Sequence, residues 1–277
     1  LSNMAPAQTS LLAKLDTQQR VRDFLTNAIA SGRASHAYLF LGAPGAGKLD
    51  AAWALAQAFL CEQDGCGSCD SCVRVARHTH PDVHYYTPES ATGYLIAQTR
   101  ELLDDVPLAP IRAKAKVYII DRAEQLRANT ANALLKTLEE PPAHAIFILA
   151  TTEANKIPVT ILSRCQRYDF RRITIDTIAA RLSELMEKEG VDVEEKAIRY
   201  VAKAGDGSMR DALSLLDQCI AFYLGQKLTY DKVLEVLGTV DTEIFSQMLR
   251  TILAGDVTGS IRTLETLLNR GKELGKF

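Results

Sequence analysis

The segment 37–50, Ala-Tyr-Leu-Phe-Leu-Gly-Ala-Pro-Gly-Ala-Gly-Lys-Leu-Asp, constrains the fold of this chain more than any other. Tyr38 to Leu41 form a short apolar run that leads into a glycine-rich loop, and an alanine-rich stretch of helical character follows from Ala51 to Leu60. Such a run fits a central parallel strand buried on both faces. The loop meets the pattern G-x-x-x-x-G-K-[S/T] at Gly42, Gly47 and Lys48, with Gly45 inside it. Between a strand and a helix, a loop of this kind cradles phosphates with backbone N–H groups at the helix N-terminus, and its lysine adds a point charge. One working part is missing. The position that should bring a hydroxyl to Mg²⁺ is Leu49, which offers neither a metal ligand nor a hydrogen bond. The segment therefore reads as a nucleotide-hydrolysing frame poorly equipped to hydrolyse; a glycine turn without a ligand is the plainer alternative.

Further strands and helices alternate along the first part of the chain. A helix is expected from Leu15 to Ala30, stopped by Ser31-Gly32, before the first strand. Strands are expected over Asp82 to Tyr86, Lys116 to Asp121 and Ile146 to Thr151. Helices are expected over Thr99 to Val106 and Asn129 to Glu139, the latter closed by Pro141-Pro142. This order predicts an α/β fold, a parallel sheet with helices on both faces and ligands at the carboxyl ends of its strands. Near Ile173 the texture changes to helical periodicity alone, over Ile178 to Lys188, Glu194 to Ala202, Met209 to Tyr223 and Asp231 to Leu237. Three domains follow: an α/β module over 8–172, a small helical domain over 173–238, and the beginning of a further helical domain over 239–277 that includes Leu264 and Leu267.

With 277 residues, of which 47% are hydrophobic, the chain can bury a substantial core. Its net charge of -2 excludes a uniformly basic nucleic-acid binder but leaves room for a local basic face. No apolar run approaches the roughly 20 residues that span a bilayer. A soluble cytoplasmic protein without a membrane partner is the expectation.

Four of the six cysteines stand as Cys61-x4-Cys66-x2-Cys69-x2-Cys72. Thiolates at this spacing wrap a tetrahedral zinc ion, and four of them leave no place for water, which makes the expected Zn²⁺ structural. His78, His80 and His84 lie close behind, and one of them replacing Cys61 is an open alternative. Free thiols are the bland one. Cys165 and Cys219 stand alone and read as packing residues.

Asp121 ends the strand that starts at Lys116, where a carboxylate on the metal side of a nucleotide belongs. Arg122 follows it, and Glu124, two positions further, is expected to point elsewhere. Thr151 or Thr152 is placed to sense a γ-phosphate, with an ordinary polar strand end as the equal competitor. Arg164, in Ser163-Arg164-Cys165, is either plain surface charge or an arginine offered to a neighbour's transferring phosphate. Arg210 opens a helix, where the dipole disfavours a cation; that placement suggests an anion to meet, and a salt bridge with Asp206 or Asp211 is the alternative.

Taken together, His36 to Phe40, Gly42 to Lys48, the cysteine cluster, Lys116 to Asp121, Asn132 to Pro142 (NALLKTLEEPP), Leu149 to Thr152, Ile161 to Cys165 and Asp206 to Gln218 resemble the bacterial DNA polymerase III clamp-loader family. The resemblance implies an AAA+ P-loop module carrying the zinc-binding segment 61–72, a helical lid over 173–238 and a helical collar domain. It also implies partners: gamma/tau and delta subunits, and through the complex a sliding clamp and primed DNA. Within the family, gamma/tau subunits hydrolyse ATP, whereas delta prime keeps the architecture and often loses hydrolysis. In motor subunits a glutamate follows the strand-end aspartate, where Arg122 stands, and a Val-Gly-Gln segment stands in place of Asp16-Thr-Gln18. With Leu49 and His80-Pro-Asp-Val-His84, these departures resemble delta prime; the Gly205-to-Gln218 segment looks more like the motor subunits.

The expectation is thus a hydrolysis-deficient, delta-prime-like subunit that offers Arg164 in trans. Gly42, Gly45, Gly47, Lys48, Asp121, Thr151 and Arg210 would line any ATP that binds. An active gamma/tau motor subunit is the first alternative. A zinc-bearing nucleic-acid adaptor is the second, opposed by the acidic balance and by the absence of basic-aromatic interleaving near the cluster.

Overall fold

Apolar runs of five to seven residues, too short for stable helices, become the inner strands of one parallel sheet. A computed structural model of the protein describes residues 10–32, 34–90, 93–126, 128–237, 249–259 and 261. In chain order the elements are α1 (Gln19–Ala30), β1 (Ala37–Gly42), α2 (Lys48–Leu60), α3 (Asp70–Ala76), β2 (Val83–Tyr86), α4 (Ile96–Asp105), β3 (Lys116–Ile120), α5 (Ala128–Glu139), β4 (Ala145–Thr151), α6 (Val159–Leu162) and β5 (Gln166–Phe170). Four helices follow: α7 (Ile175–Glu189), α8 (Glu195–Ala204), α9 (Met209–Phe222) and α10 (Tyr230–Leu237). The described chain divides into two compact units. One holds the residues up to Thr174 together with Gly207–Met209; the other holds Ile175–Asp206 and the residues from Arg210 onward.

The sheet of the first unit has the order β2-β3-β4-β1-β5, all neighbours parallel. Because successive side chains point to opposite faces, each inner strand feeds two cores. Tyr38, Phe40, Val117, Ile119, Ile146 and Ile148 pack on one face with the alanine-rich side of α2 and with α1. Leu39, Tyr118, Ile120, Phe147 and Leu149 pack on the other face with α4 and α5. Five alanines of α2 (Ala51, Ala52, Ala54, Ala56 and Ala58) are buried, and their small side chains bring that helix close against the sheet. β3 and β4 are buried along their whole length, as parallel strands covered on both faces are, with polar side chains only at their ends, Lys116 opening β3 and Thr151 closing β4, apart from the Tyr118 hydroxyl.

Three elements were absent from the sequence expectation, the one-turn helix α6 among them. Edge strand β5 alternates exposed Gln166, Arg167 and Asp169 with buried Tyr168 and Phe170. The short helix α3 occupies the end of the cysteine segment, so Cys72 sits on a helix rather than in a loop. In the second unit, Ile178, Leu182, Ile198, Val201, Leu216, Cys219 and Val233 are buried, which fits the packing role expected of Cys219. Of the expected third domain, 239–248, 260 and 262–277, including Leu264 and Leu267, lie outside the described residues; 249–253 and 257–259 are helical.

No helix among the described residues is long and apolar enough to cross a membrane.

Candidate functional site

Parallel order places the carboxyl ends of β1, β4 and β3 side by side, and the loop of residues 42–48 leaves from the first of them. Gly42 is the last residue of β1 and pairs with Phe170; a Cβ there would lie 2.6 Å from the Phe170 carbonyl oxygen, so the close approach of β5 admits only glycine. Gly45 and Gly47 take left-handed backbone, with φ of +68° and +89°, and Gly47 caps the N-terminus of α2. Buried Gln18 clasps this loop from outside: its side-chain amide donates to the carbonyls of Ala46 (3.0 Å) and Arg171 (2.7 Å). Lys48 is 8% exposed, and its Nζ donates to the carbonyls of Gly42 at 2.7 Å and Ala43 at 2.8 Å. Burial lowers the Lys48 pKa, while the negative charges of Asp121 and Glu124 act in the opposite direction. Leu49 points the other way, half-buried against the core shared by β1, α1 and α2.

Asp121 follows β3, fixed by its own backbone: its N–H donates to the Tyr86 carbonyl, and its carbonyl accepts from the Tyr94 hydroxyl at 2.5 Å. Its carboxylate accepts from the backbone N–H of Arg122 at 2.8 Å and from the Tyr85 hydroxyl at 3.3 Å. Arg122 has φ of +47°, unusual for a residue with a side chain, and its guanidinium leaves the strand ends to donate to Thr87 Oγ1. A short 3₁₀ turn over Ala123–Gln125 follows. That turn swings Glu124 back: the Thr151 hydroxyl, at the end of β4, donates to Glu124 Oε2 at 2.5 Å. The expectation that Glu124 points elsewhere is corrected by this contact. A left-handed residue followed by a 3₁₀ turn reverses which side chain faces the sheet ends, and no periodicity rule reports it.

The four cysteines converge from the end of α2, the loop after it and α3. Their Sγ atoms all lie within 4.8 Å of one another, with Cys66 and Cys72 at 3.9 Å and Cys61 and Cys69 at 3.7 Å. Tetrahedral zinc with bonds of about 2.3 Å separates its sulfurs by about 3.8 Å, so the donor set fits that ion. Backbone N–H groups of Gln63 and Cys66 point at Cys61 Sγ, and that of Cys69 at Cys66 Sγ. N–H groups from Ser68 and Cys69 push the Cys66 thiol down to about 6, toward the thiolate a metal requires. The histidines lie elsewhere. His78 stacks on Trp53 at 3.9 Å, His80 Nδ1 accepts from the Asp82 N–H, and His84 Nε2 faces the Asp105 carboxylate at 3.2 Å.

Arg164 follows α6 and is about one-third exposed; it donates to the Thr160 carbonyl at 2.6 Å and to Glu139 at 2.7 Å. None of these partners belongs to the loop 42–48. Cys165 beside it packs into the core of β4 and α5, and burial pushes its thiol up to about 11.

The family described as "DNA polymerase III, delta subunit" matches residues 17–174, more than half of the chain. The family described as "DNA polymerase III clamp loader subunit, ATPase lid domain" matches residues 177–225. The chain belongs to the clamp-loader family of DNA polymerase III. Relatives within it include DNA polymerase III subunit tau of Bacillus subtilis, 41% identical over 94% of this chain and 46% of that protein. Subunit tau of Escherichia coli is 42% identical over 82% of this chain and 35% of that protein. The clamp-loader chain thus spans less than half the length of these relatives. Among solved structures, a Thermotoga maritima RuvB variant matches with a TM-score of 0.59 at 17% identity, over 89% of this chain and 79% of that one, which shows a shared fold. The clamp-loader fold accounts for the parallel sheet, its flanking helices and the helical lid unit. Arg210, exposed in the first turn of α9, belongs to the second unit.

Proposed function

We propose that this chain is a gamma/tau-type subunit of the DNA polymerase III clamp loader, which binds ATP on the loop 42–48 and turns it over within the complex. The observation that carries this reading is the convergence at three adjacent strand ends: Lys48 behind the loop, Asp121 after β3, and Glu124 bonded to Thr151 at the end of β4. Phosphoryl transfer needs little beyond positioning and charge, and this group of residues has the parts for both. The tau names of the relatives favour the same subunit type. Backbone N–H groups of Gly45 and Gly47 would meet the phosphates, Lys48 would exchange its loop carbonyls for phosphate oxygens, and Asp121 would stand on the metal side. Arg164 would serve the ATP of the neighbouring subunit.

A second reading, a delta-prime-like subunit deficient in hydrolysis, is favoured by Leu49, whose side chain packs into the core where a metal-binding hydroxyl belongs. Under both readings Cys61, Cys66, Cys69 and Cys72 hold a structural zinc ion that ties the segment after α2 together. Both also place the chain in the cytoplasm, with delta, a sliding clamp and primed DNA as partners of the assembled loader.

ATP binding and turnover measured on one purified sample of the full-length protein, alone and in the reconstituted loader, separate the readings. We expect turnover in the loader that Lys48→Ala abolishes. Nucleotide binding with no turnover attributable to this chain in any assembly would refute the motor reading and leave the delta-prime one. Metal analysis of the same reduced sample should give one zinc per chain, and none would remove the four-thiolate centre.

A further inference from the structure

We infer that Glu124 is the carboxylate that orients the attacking water in this chain, taking over a role that the residue directly after Asp121 cannot fill because it is Arg122. The inference rests on the ATPase reading above. Hydrolysis needs a group that holds a water molecule in line with the γ-phosphorus and accepts its proton. Among the described residues at the ends of β1, β3 and β4, Glu153 is exposed and paired with Lys156 at 2.8 Å, which leaves three side chains to compete for that task. Asp121 is engaged by the N–H of Arg122 and the hydroxyl of Tyr85 and stands where metal-side charge is needed. The Arg122 guanidinium is directed to Thr87, and a cation cannot accept a proton. Glu124 remains. It is half-buried, it accepts one hydrogen bond from the Thr151 hydroxyl, and its charge is felt by Lys48 together with that of Asp121.

The local backbone explains how a residue four positions after Ile120, the end of β3, reaches the site. Arg122 adopts the left-handed conformation, its N–H is drawn to Asp121 Oδ1, and the 3₁₀ turn at Ala123–Gln125 begins at once, with Ala123 buried beneath it. The chain is thereby folded back so that residue 124 faces Thr151. The Thr151 hydroxyl also accepts from the Glu153 N–H, so its own proton is directed to Glu124 and fixes that carboxylate in place. A carboxylate with one oxygen so held has the other available for water.

In the step assigned, water attacks the γ-phosphorus of ATP while Glu124 takes one of its protons. The new P–O bond forms as the bond from the γ-phosphorus to the β,γ-bridging oxygen breaks, and that oxygen leaves with the electron pair on ADP. Glu124 then returns its proton to solvent, and the products are ADP and phosphate.

The test uses the clamp loader reconstituted with the full-length chain carrying Lys48→Ala, Glu124→Gln or Arg122→Ala, with turnover at saturating ATP and affinity for a fluorescent ATP analogue as readouts. Lys48→Ala should silence the site. Glu124→Gln should lower kcat by ~100-fold or more with nucleotide affinity changed by less than about 3-fold, a split that a merely structural role does not produce. Arg122→Ala should stay within about 3-fold of the parent in both readouts. If Glu124→Gln turns over normally while Lys48→Ala is silent, or if it loses nucleotide affinity in step with turnover, the Glu124 assignment is wrong and the ATPase reading stands. If all three variants match the parent, hydrolysis does not occur at this site and both fall.

Discussion

Leu49 is one residue in from the N-terminus of α2, and its side chain has been recruited into the core that the helix shares with β1 and α1. That packing opposes the return of a hydroxyl. Leu49→Thr should lower unfolding stability by about 1–2 kcal/mol, because a half-buried leucine gives up apolar contact without full cavity formation. The same change supplies the missing oxygen, so Mg²⁺ should tighten nucleotide binding in the variant more than in the parent. Thermal unfolding and nucleotide titrations with and without Mg²⁺ check the two halves separately; a variant whose affinity is indifferent to Mg²⁺ would show that the site lacks more than a hydroxyl. At this scale, residue identity told part of the story. Gly42, Lys48 and Asp121 could be placed from their neighbours in sequence, since strand, loop and helix are local. Glu124 could not, because its position depends on one left-handed φ at Arg122, which the residue type disfavours. The signal available was chemical rather than periodic: an acid just past a buried strand, beside a strand-end threonine of unassigned partner.

Elements are held to one another by polar contacts that composition does not reveal. Asp82, just before β2, is fully buried and accepts the backbone N–H groups of Ile111, Arg112 and Ala113 at 2.5–2.9 Å, binding the approach to β3 onto its neighbour. Burial alone would raise its pKa, but the three N–H groups outweigh it and hold the carboxyl below its ordinary 3.8. The sign follows from linkage: the native state keeps this proton off at a pH where the unfolded chain binds it. The stabilisation is complete above the unfolded value of 3.8 and is lost as the pH falls below it through the folded value. Asp82→Ala should cost about 3 kcal/mol near neutral pH, since charged hydrogen bonds are removed and three donors are left without a partner. Denaturant unfolding at neutral pH and near pH 3 tests this, and the gap between parent and variant should narrow on acidification. Legibility also varied by element. The strands buried on both faces announced themselves as apolar runs, whereas β5, exposed at Gln166, Arg167 and Asp169, carries only Tyr168 and Phe170 as inward markers. In α3 the metal-ligand spacing of Cys69 and Cys72 hid a helix whose N-cap is itself a cysteine, the Cys69 sulfur accepting from the Cys72 N–H.

For the whole molecule, strand order and the gathering of distant residues are non-local and could be read only as a class, an α/β sheet followed by helices. The placement of Arg164 is of that kind. Its guanidinium is held by Glu139, from the end of α5, and by the Thr160 carbonyl on α6, two elements separated in sequence by β4. Both contacts are at the surface, where an ion pair contributes at most about 1 kcal/mol, so stability does not explain why the arginine is presented there. The role proposed for it outside its own chain would. An arginine delivered to a neighbour's transferring phosphate accounts for 10³–10⁵ in rate where it operates, and its removal leaves the donor's fold untouched. Arg164→Ala should therefore unfold within about 1 kcal/mol of the parent and bind nucleotide at its own loop as before. In a reconstituted loader the same variant should lower the clamp- and DNA-stimulated turnover of the adjacent subunit by ~10³-fold or more. Glu139→Gln supplies the control, since it frees the guanidinium without removing it and should leave that turnover far closer to the parent's. Stimulated turnover unchanged by Arg164→Ala would return the residue to plain surface charge, and the interface role would have to be sought elsewhere on the chain.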